Sequence, residues 1–228
     1  MQSYTDQIPQ FMCPICKNVG WVYLDVPQGD SRRGKAFPCK CSKMGWEERR
    51  LAAMMKFCGL PDNASDLTFE NYQVKPGLED AYQGAMQLIS GQISFLTLIG
   101  PVNTGKTHLA IAVCQEFIKQ NIPAKYAFTP LLLDHLRNTY DKDASMSFVD
   151  FFDRYCRVPL LVLDDIYKER VTEWGEEKLT SLINSRYMDR KATIFTSNKP
   201  LSAMADAIQS RLQRESWCKV VVLAGVSL

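Results

Sequence analysis

The octapeptide Gly100-Pro101-Val102-Asn103-Thr104-Gly105-Lys106-Thr107 constrains this chain more than any other stretch of it. It satisfies G-x-x-x-x-G-K-[ST] in full, and its flanks suit the motif. Phe95-Leu96-Thr97-Leu98-Ile99 reads as a buried strand before it, and a helical pattern runs from Lys106 to Gln120 behind it. Each residue type has a physical task. Gly105 lets the backbone pass close to phosphate oxygens, the loop amides converge as a nest for anions, and the helix N-terminus adds partial positive charge. Lys106 is placed for the terminal phosphates of ATP and Thr107 for its magnesium ion. The expected nucleotide-binding residues are Gly100, Pro101, Val102, Asn103, Thr104, Gly105, Lys106 and Thr107. His108 stands directly behind them, where it also reads as a plain helix-start residue.

Two further pieces belong to the same chemistry. Leu160-Leu161-Val162-Leu163 runs into Asp164-Asp165 about sixty residues after the loop. A strand ending there sets the Asp164 carboxylate where it can hold magnesium and points Asp165 at the water that attacks the γ-phosphate. Ile194-Phe195-Thr196-Ser197-Asn198 ends in a polar residue that can reach the γ-phosphate, although Ser197-Asn198 before Lys199-Pro200 taken alone is only a turn. Arg211, in Ser210-Arg211-Leu212, either reaches a neighbouring copy's nucleotide or is a solvated surface arginine.

Helices and short apolar strands alternate around these motifs. Helices are expected over Gly77 to Ile89, Pro130 to Tyr140 and Glu176 to Asp189, and strands at Ala124 to Phe128, Leu160 to Leu163, Ala192 to Thr196 and Val220 to Leu223. That alternation predicts an α/β fold with a five-stranded parallel sheet covered by helices on both faces. The 228 residues are 46% apolar, enough to fill a core. No run approaches the ~18 apolar residues that span a membrane, and the opening Met1-Gln2-Ser3-Tyr4-Thr5-Asp6 lacks the pattern of a secretory leader. A cytoplasmic protein without a membrane partner is expected.

The first quarter of the chain differs in character. Residues 1–58 carry nine Lys and Arg against five Asp and Glu, whereas the remainder carries eighteen against twenty. The basic excess suits an anionic partner or a solvated surface equally. Cys13-Pro14-Ile15-Cys16 and Cys39-Lys40-Cys41 form two tight pairs. In a reduced compartment, Cys13, Cys16, Cys39 and Cys41 more often hold zinc than remain four unrelated thiols. The second pair is spaced by one residue where a zinc ribbon has two. Between the pairs, Trp21-Val22-Tyr23-Leu24 and Ala36-Phe37 predict a hairpin clamped at its base. A module this small needs the ion for its folding energy. Cys58, Cys114, Cys156 and Cys218 stand alone and are expected in cores. Ser42 to Cys58 reads as helix, stopped by Gly59-Leu60-Pro61. The expected organisation is a zinc module over 1–42, a linker helix over 43–59 and a nucleotide-binding domain over 60–228.

Taken together, these residues resemble the AAA+ ATPases of the DnaC/DnaI helicase-loader family and its IstB relatives. Carrying that resemblance are also Phe69-Glu70-Asn71-Tyr72, Val171-Thr172-Glu173-Trp174 and Leu182-Ile183-Asn184-Ser185-Arg186-Tyr187. The cysteine-rich module is similar to zinc-bearing versions among DnaI-like and phage loaders. The resemblance implies an ATPase in which Lys106 and Thr107 are Walker A, Asp164 and Asp165 Walker B, Asn198 sensor 1 and Arg211 a trans-acting arginine finger. It implies a replicative helicase hexamer as partner for the module and its following helix, self-association through AAA+ interfaces, and single-stranded DNA along Leu131 to Arg157. Arg137, Lys142, Arg154 and Arg157 are that element's basic candidates, and each also reads as a solvated surface charge. The chain ends at Leu228, soon after the last strand, so no helical lid or sensor 2 arginine is expected. Two other readings remain open: an IstB-type transposition ATPase that bends duplex DNA, and a small-metabolite P-loop kinase, whose lid arginines are not found.

Overall fold

The computed structural model describes residues 13–17, 19–41, 43–140, 146–167, 172–213 and 216–223. The chain separates into two compact units, residues 1–57 and 58–228. In the first, β1 (Trp21–Tyr23) pairs antiparallel with β2 (Ala36–Pro38), with Trp21 opposite Pro38 and Tyr23 opposite Ala36. Alternation along these strands directs Val22 onto a buried cluster of Cys13, Cys16, Cys39 and Cys41. Helix α1 (Lys43–Cys58) follows, and Gly59 ends it with φ of 72°, the left-handed conformation usual just past a helix terminus.

The second unit is built on five strands of five residues each: β3 (Phe95–Ile99), β4 (Ala124–Phe128), β5 (Leu160–Asp164), β6 (Thr193–Ser197) and β7 (Cys218–Val222). All pairings are parallel, in the order β4-β5-β6-β3-β7. Strands β3, β5 and β6 are buried at every position, which is why β3 and β5 read as near-continuous apolar runs, while β6 buries Thr193, Thr196 and Ser197 with its apolar residues. The edge strands β4 and β7 are only partly buried and accommodate Lys125 and Lys219. The helices of this unit are α2 (Glu79–Ile89), α3 (Lys106–Lys119), α4 (Thr129–Asn138), α5 (Phe148–Arg157), α6 (Glu173–Met188) and α7 (Asp206–Gln213). The α/β architecture with a five-stranded parallel sheet is the one expected.

Element ends differ from the sequence expectation for local reasons. Helix α2 begins at Glu79 because Gly77 has φ of 88° and its N–H donates to the Glu79 carboxylate at 2.7 Å. Helix α6 begins three residues early, since the Thr172 hydroxyl accepts from the Gly175 N–H at 3.2 Å and caps the first turn. The stretch Leu131 to Arg157 holds two helices, α4 and α5; Lys142 lies outside the described residues, as do Ser42 and Val171. Cys58, Cys114 and Cys156 are buried, but Cys218 is only half-buried at an edge strand, its thiol donating to the Arg211 carbonyl.

Arg186 is the largest fully buried side chain. Its guanidinium donates to the carbonyls of Tyr155, Val158 and Ala192 at 2.9, 2.8 and 2.6 Å and to the Thr193 hydroxyl at 2.9 Å. One cation thereby ties α6 to the end of α5, the start of β5 and the start of β6. Arg186→Met should leave these carbonyls unsatisfied and destabilise the protein by about 3 kcal/mol or more, read as a lower urea midpoint.

Candidate nucleotide site and cysteine cluster

The phosphate loop connects β3 to α3 at the carboxyl end of the sheet, where open parallel sheets bind ligands. Both of its motif glycines are required by space. A Cβ at Gly100 would stand 2.7 Å from the Leu223 carbonyl oxygen, which approaches because the Leu223 N–H donates to Ile99. Gly105 has φ of 82°, and a Cβ there would lie 3.1 Å from the Tyr72 ring. Asn103 is also left-handed, with φ of 63°. Lys106 is buried, its ammonium donating to the carbonyls of Gly100 and Pro101 at 2.8 and 2.6 Å. Burial pushes its pKa down, while the charges of Asp165 and Asp164 pull it back up. Pro101 and Val102 form the exposed tip of the loop, and Thr104 braces it by donating to the Pro101 carbonyl at 2.9 Å.

Asp164 sits at the last position of β5 and is buried. Its oxygens accept from Thr107 at 3.0 Å, Tyr126 at 2.6 Å and Thr196 at 2.5 Å. The Tyr126 phenol is held protonated by burial and by the Asp164 charge. Asp165 turns out of the strand with φ of 56°, its N–H donating to the Thr196 hydroxyl at 2.8 Å. The Asn198 amide reaches across and donates to the Asp165 carboxylate at 2.9 Å. Residues of β3–α3, β5 and β6 expected at one site are thus brought together. Thr107 and Asp164 present adjacent hard oxygen donors, the set a magnesium ion takes.

The His108 Nε2 lies 2.8 Å from the Thr68 carbonyl, and its ring packs edge-on to Tyr72 at 5.1 Å. Beside them Asn71, Tyr72, Leu78, Asn103, Gly105 and His108 line a cavity of about 180 Å³. The Tyr72 hydroxyl is buried there without a hydrogen-bond partner. Tyr126, Thr196 and this cavity are features that sequence reasoning missed; a tyrosine two residues into an edge strand carries no local signal of a distant carboxylate.

Other expected residues lie apart from this cluster. Arg211 on α7 donates to Asn184 of α6 at 3.0 and 2.7 Å and to the Ala207 carbonyl at 2.5 Å. Arg157 pairs with Asp153 at 2.6 Å, Arg154 is half-buried on α5, and Arg137 lies over the Trp174 ring at 5.3 Å. Near Arg137 the sequence reading missed a row of stacked rings: Tyr140 on Phe148 at 5.0 Å and Phe148 on Phe152 at 5.5 Å, with the Lys178 ammonium 5.8 Å from Phe148.

In the first unit the sulfurs of Cys13, Cys16, Cys39 and Cys41 lie within 4.8 Å of one another. Cys13 and Cys39 are separated by 3.9 Å, close to the roughly 3.8 Å edge of a tetrahedron with ~2.3 Å zinc–sulfur bonds, whereas Cys16 and Cys41 stand at 3.0 Å and would have to part to share an ion. The Cys16 N–H lowers the Cys13 thiol to about 6, while its hydrogen bond with Cys16 raises Cys41 to about 12, so four bare thiols here do not ionise together. A dication would remove that obstacle, and the donor set fits zinc.

Residues 42–222 match the family of IstB-like ATP binding proteins, and the chain belongs to that family. The uncharacterized protein YqaM of Bacillus subtilis is 25% identical over 98% of this chain and 86% of its own length. Among solved structures, the DnaC helicase loader superposes with a TM-score of 0.63 at 23% identity, over 72% of this chain and 99% of the other. The replication initiator DnaA bound to AMPPCP and single-stranded DNA gives 0.59 at 24% identity, over 69% of this chain and 50% of DnaA. This chain therefore spans about half the length of that DnaA chain. The fold is that of AAA+ P-loop domains such as those of DnaC and DnaA, and the family makes the chain an IstB-like ATP binding protein. Gly105→Ala should weaken binding of a fluorescent ATP analogue at least tenfold, because the added methyl meets both a left-handed backbone and the Tyr72 ring.

Proposed function

We propose that this protein is an ATP-dependent helicase loader of DNA replication. The observation that carries the reading is the pairing of a phosphate-loop site, with Asp164, Asp165 and Asn198 gathered beside it, with a separate four-cysteine module on one chain. In the site, Lys106 and the loop amides hold the phosphates of ATP, and Tyr72 and His108 wall the cavity for the rest of the nucleotide. Thr107 and Asp164 would hold a magnesium ion, which when bound would supply positive charge to the phosphates. Asp165 orients the hydrolytic water and Asn198 fixes Asp165 by its amide hydrogen bond. Arg211 serves the nucleotide of an adjacent copy when the domains assemble side by side. The module, closed by zinc on Cys13, Cys16, Cys39 and Cys41, and α1 engage the replicative helicase. Single-stranded DNA runs along α4 and α5, where Arg137 and the stacked rings from Tyr140 to Phe152 offer charge and stacking faces. Hydrolysis then releases the loader. The organisation this implies is a zinc module over 1–42, a linker helix over 43–59 and an ATPase domain over 60–228, acting in the cytoplasm.

The test is size-exclusion chromatography with light scattering of the chain, a candidate replicative helicase and ATP. Co-migration of the full chain, lost when the chain is shortened to begin at Leu60, is the expected result; no complex in either case defeats the loader reading. The family match favours one other reading, a transposition ATPase of the IstB kind, which would show itself as a preference for duplex over single-stranded DNA. The cysteine site has its own signature. Zinc binds thiolates, so acidification protonates the ligands and weakens binding. One zinc per chain is expected near neutral pH, with release on acidification, followed with a chromogenic chelator.

A further inference from the structure

We propose that the outward face of the β1–β2 hairpin is a binding surface for single-stranded nucleic acid, distinct from the α4–α5 element. The hairpin uses one face for its cysteines and turns the other to solvent. Val22 packs toward the cysteine cluster, whereas Trp21 and Tyr23 point away and are 55% and 73% exposed. Their cross-strand partners are Pro38 and Ala36, short side chains that leave both rings uncovered. Val19, 71% exposed, continues the apolar face past Trp21. Buried interiors claim large aromatics first, so two wet rings on a module this small mark a contact surface.

Charge selects the occupant. Residues 13–41 contain Lys17, Arg32, Arg33, Lys35 and Lys40 against Asp25 and Asp30. Arg32 pairs with Asp30 at 2.7 Å, and among the described residues Lys17, Arg33, Lys35 and Lys40 have no ion-pair partner. All four are exposed. Lys35 immediately precedes β2, and Lys40 follows it by two residues, on the same parity as Pro38 and Ala36. The result is a strip with two rings about 7 Å apart along a strand, Lys40 beyond one end of the neighbouring strand on the same parity, and Lys35 flanking its other end on the opposite parity. A polyanion whose every residue carries a flat apolar face fits such a strip: bases stack on the rings and phosphates meet the lysines. Duplex DNA keeps its bases stacked on each other and cannot use the rings in this way. The proposal goes beyond the loader reading and needs neither the helicase nor ATP turnover; it needs the hairpin intact, which the loader reading assigns to zinc.

The experiment uses the full chain and a fluorescein-labelled oligothymidylate followed by anisotropy. Trp21→Ala with Tyr23→Ala should weaken binding roughly tenfold or more, while Trp21→Phe with Tyr23→Phe, which keeps both stacking faces, stays within about twofold of the parent. Zinc content, measured on the same samples, separates loss of the face from loss of the module. If the alanine pair sheds its metal, cross-linking of the unmodified chain to a 4-thiothymidine oligonucleotide decides instead: adducts on residues 19–24 support the proposal, and adducts confined to α4 and α5 overturn it. Unchanged affinity in a zinc-loaded alanine pair overturns it too, as does loss of helicase co-migration with oligonucleotide affinity intact, which would give the face to a protein partner. Failure of helicase co-migration in the parent chain defeats the loader reading and leaves this one standing on its own affinity measurement.

Discussion

Asp164 has 4% of its surface exposed, and a carboxylate so enclosed persists only where its oxygens are occupied by donors. Three hydroxyls meet that demand, and each comes from a different element: Tyr126 from β4, Thr196 from β6 and Thr107 from the first turn of α3. The carboxylate therefore fixes more than its own position. It fastens the carboxyl ends of β4, β5 and β6 to the helix that carries the phosphate loop, and those ends are where the nucleotide chemistry must be assembled. The registers Phe128 against Asp164 and Ile99 against Ser197 bring the strand ends level, so the hydroxyls arrive in reach. Removing any one hydroxyl leaves a buried acceptor short of a partner and loosens the connection at that strand.

The backbone separates the two consecutive aspartates into different roles. Asp164 ends the strand with extended geometry and points into the sheet, while Asp165 adopts φ of 56°, a conformation that aspartate tolerates better than most residues. Its N–H is anchored on the Thr196 hydroxyl and its carboxylate on the Asn198 amide. The Thr196 hydroxyl thus donates to one aspartate and accepts from the backbone of the next, so one β6 side chain sets the geometry of both. Asn198, three residues from the centre of that strand, then orients the carboxylate that is turned out of the sheet. Leu-Asp-Asp followed by a strand ending Thr-Ser-Asn is in this sense a single device split across two segments of chain.

Much of this was legible in the sequence because it rests on local rules. Runs such as Leu160 to Leu163, and Phe95 to Ile99 with Thr97 as its one polar residue, are apolar on both parities, which a strand buried on both faces requires. The phosphate loop is legible because its glycines answer to local backbone geometry and close approach. What was not legible is set by long-range contacts. Nothing beside Tyr126 announces a carboxylate thirty-eight residues away, and nothing beside Arg186 announces the carbonyls of Tyr155, Val158 and Ala192 that close over it. Helix α6 illustrates the middle case: the Thr172 cap was in plain view, but the apolar period begins later than the hydrogen-bonded turn does, and periodicity alone places the start at Glu176.

Among the described residues of the second unit, the buried cations Arg186 and Lys106 show how the same chemistry serves opposite ends. Arg186 cannot lose its proton and is surrounded by fixed carbonyls, so it is a permanent tie. Lys106 is also enclosed by carbonyls, those of Gly100 and Pro101, but burial pushes its pKa down and its stem is flexible. Its ammonium therefore exchanges partners at low cost: a phosphate oxygen carrying full charge outcompetes a carbonyl dipole, and the Asp164 and Asp165 charges keep the amine protonated while it moves. An arginine at position 106, held by several carbonyls through its planar fork, would surrender them less readily. In the proposed ATP site, lysine suits the loop because it is satisfied by the Gly100 and Pro101 carbonyls and can leave them for a phosphate.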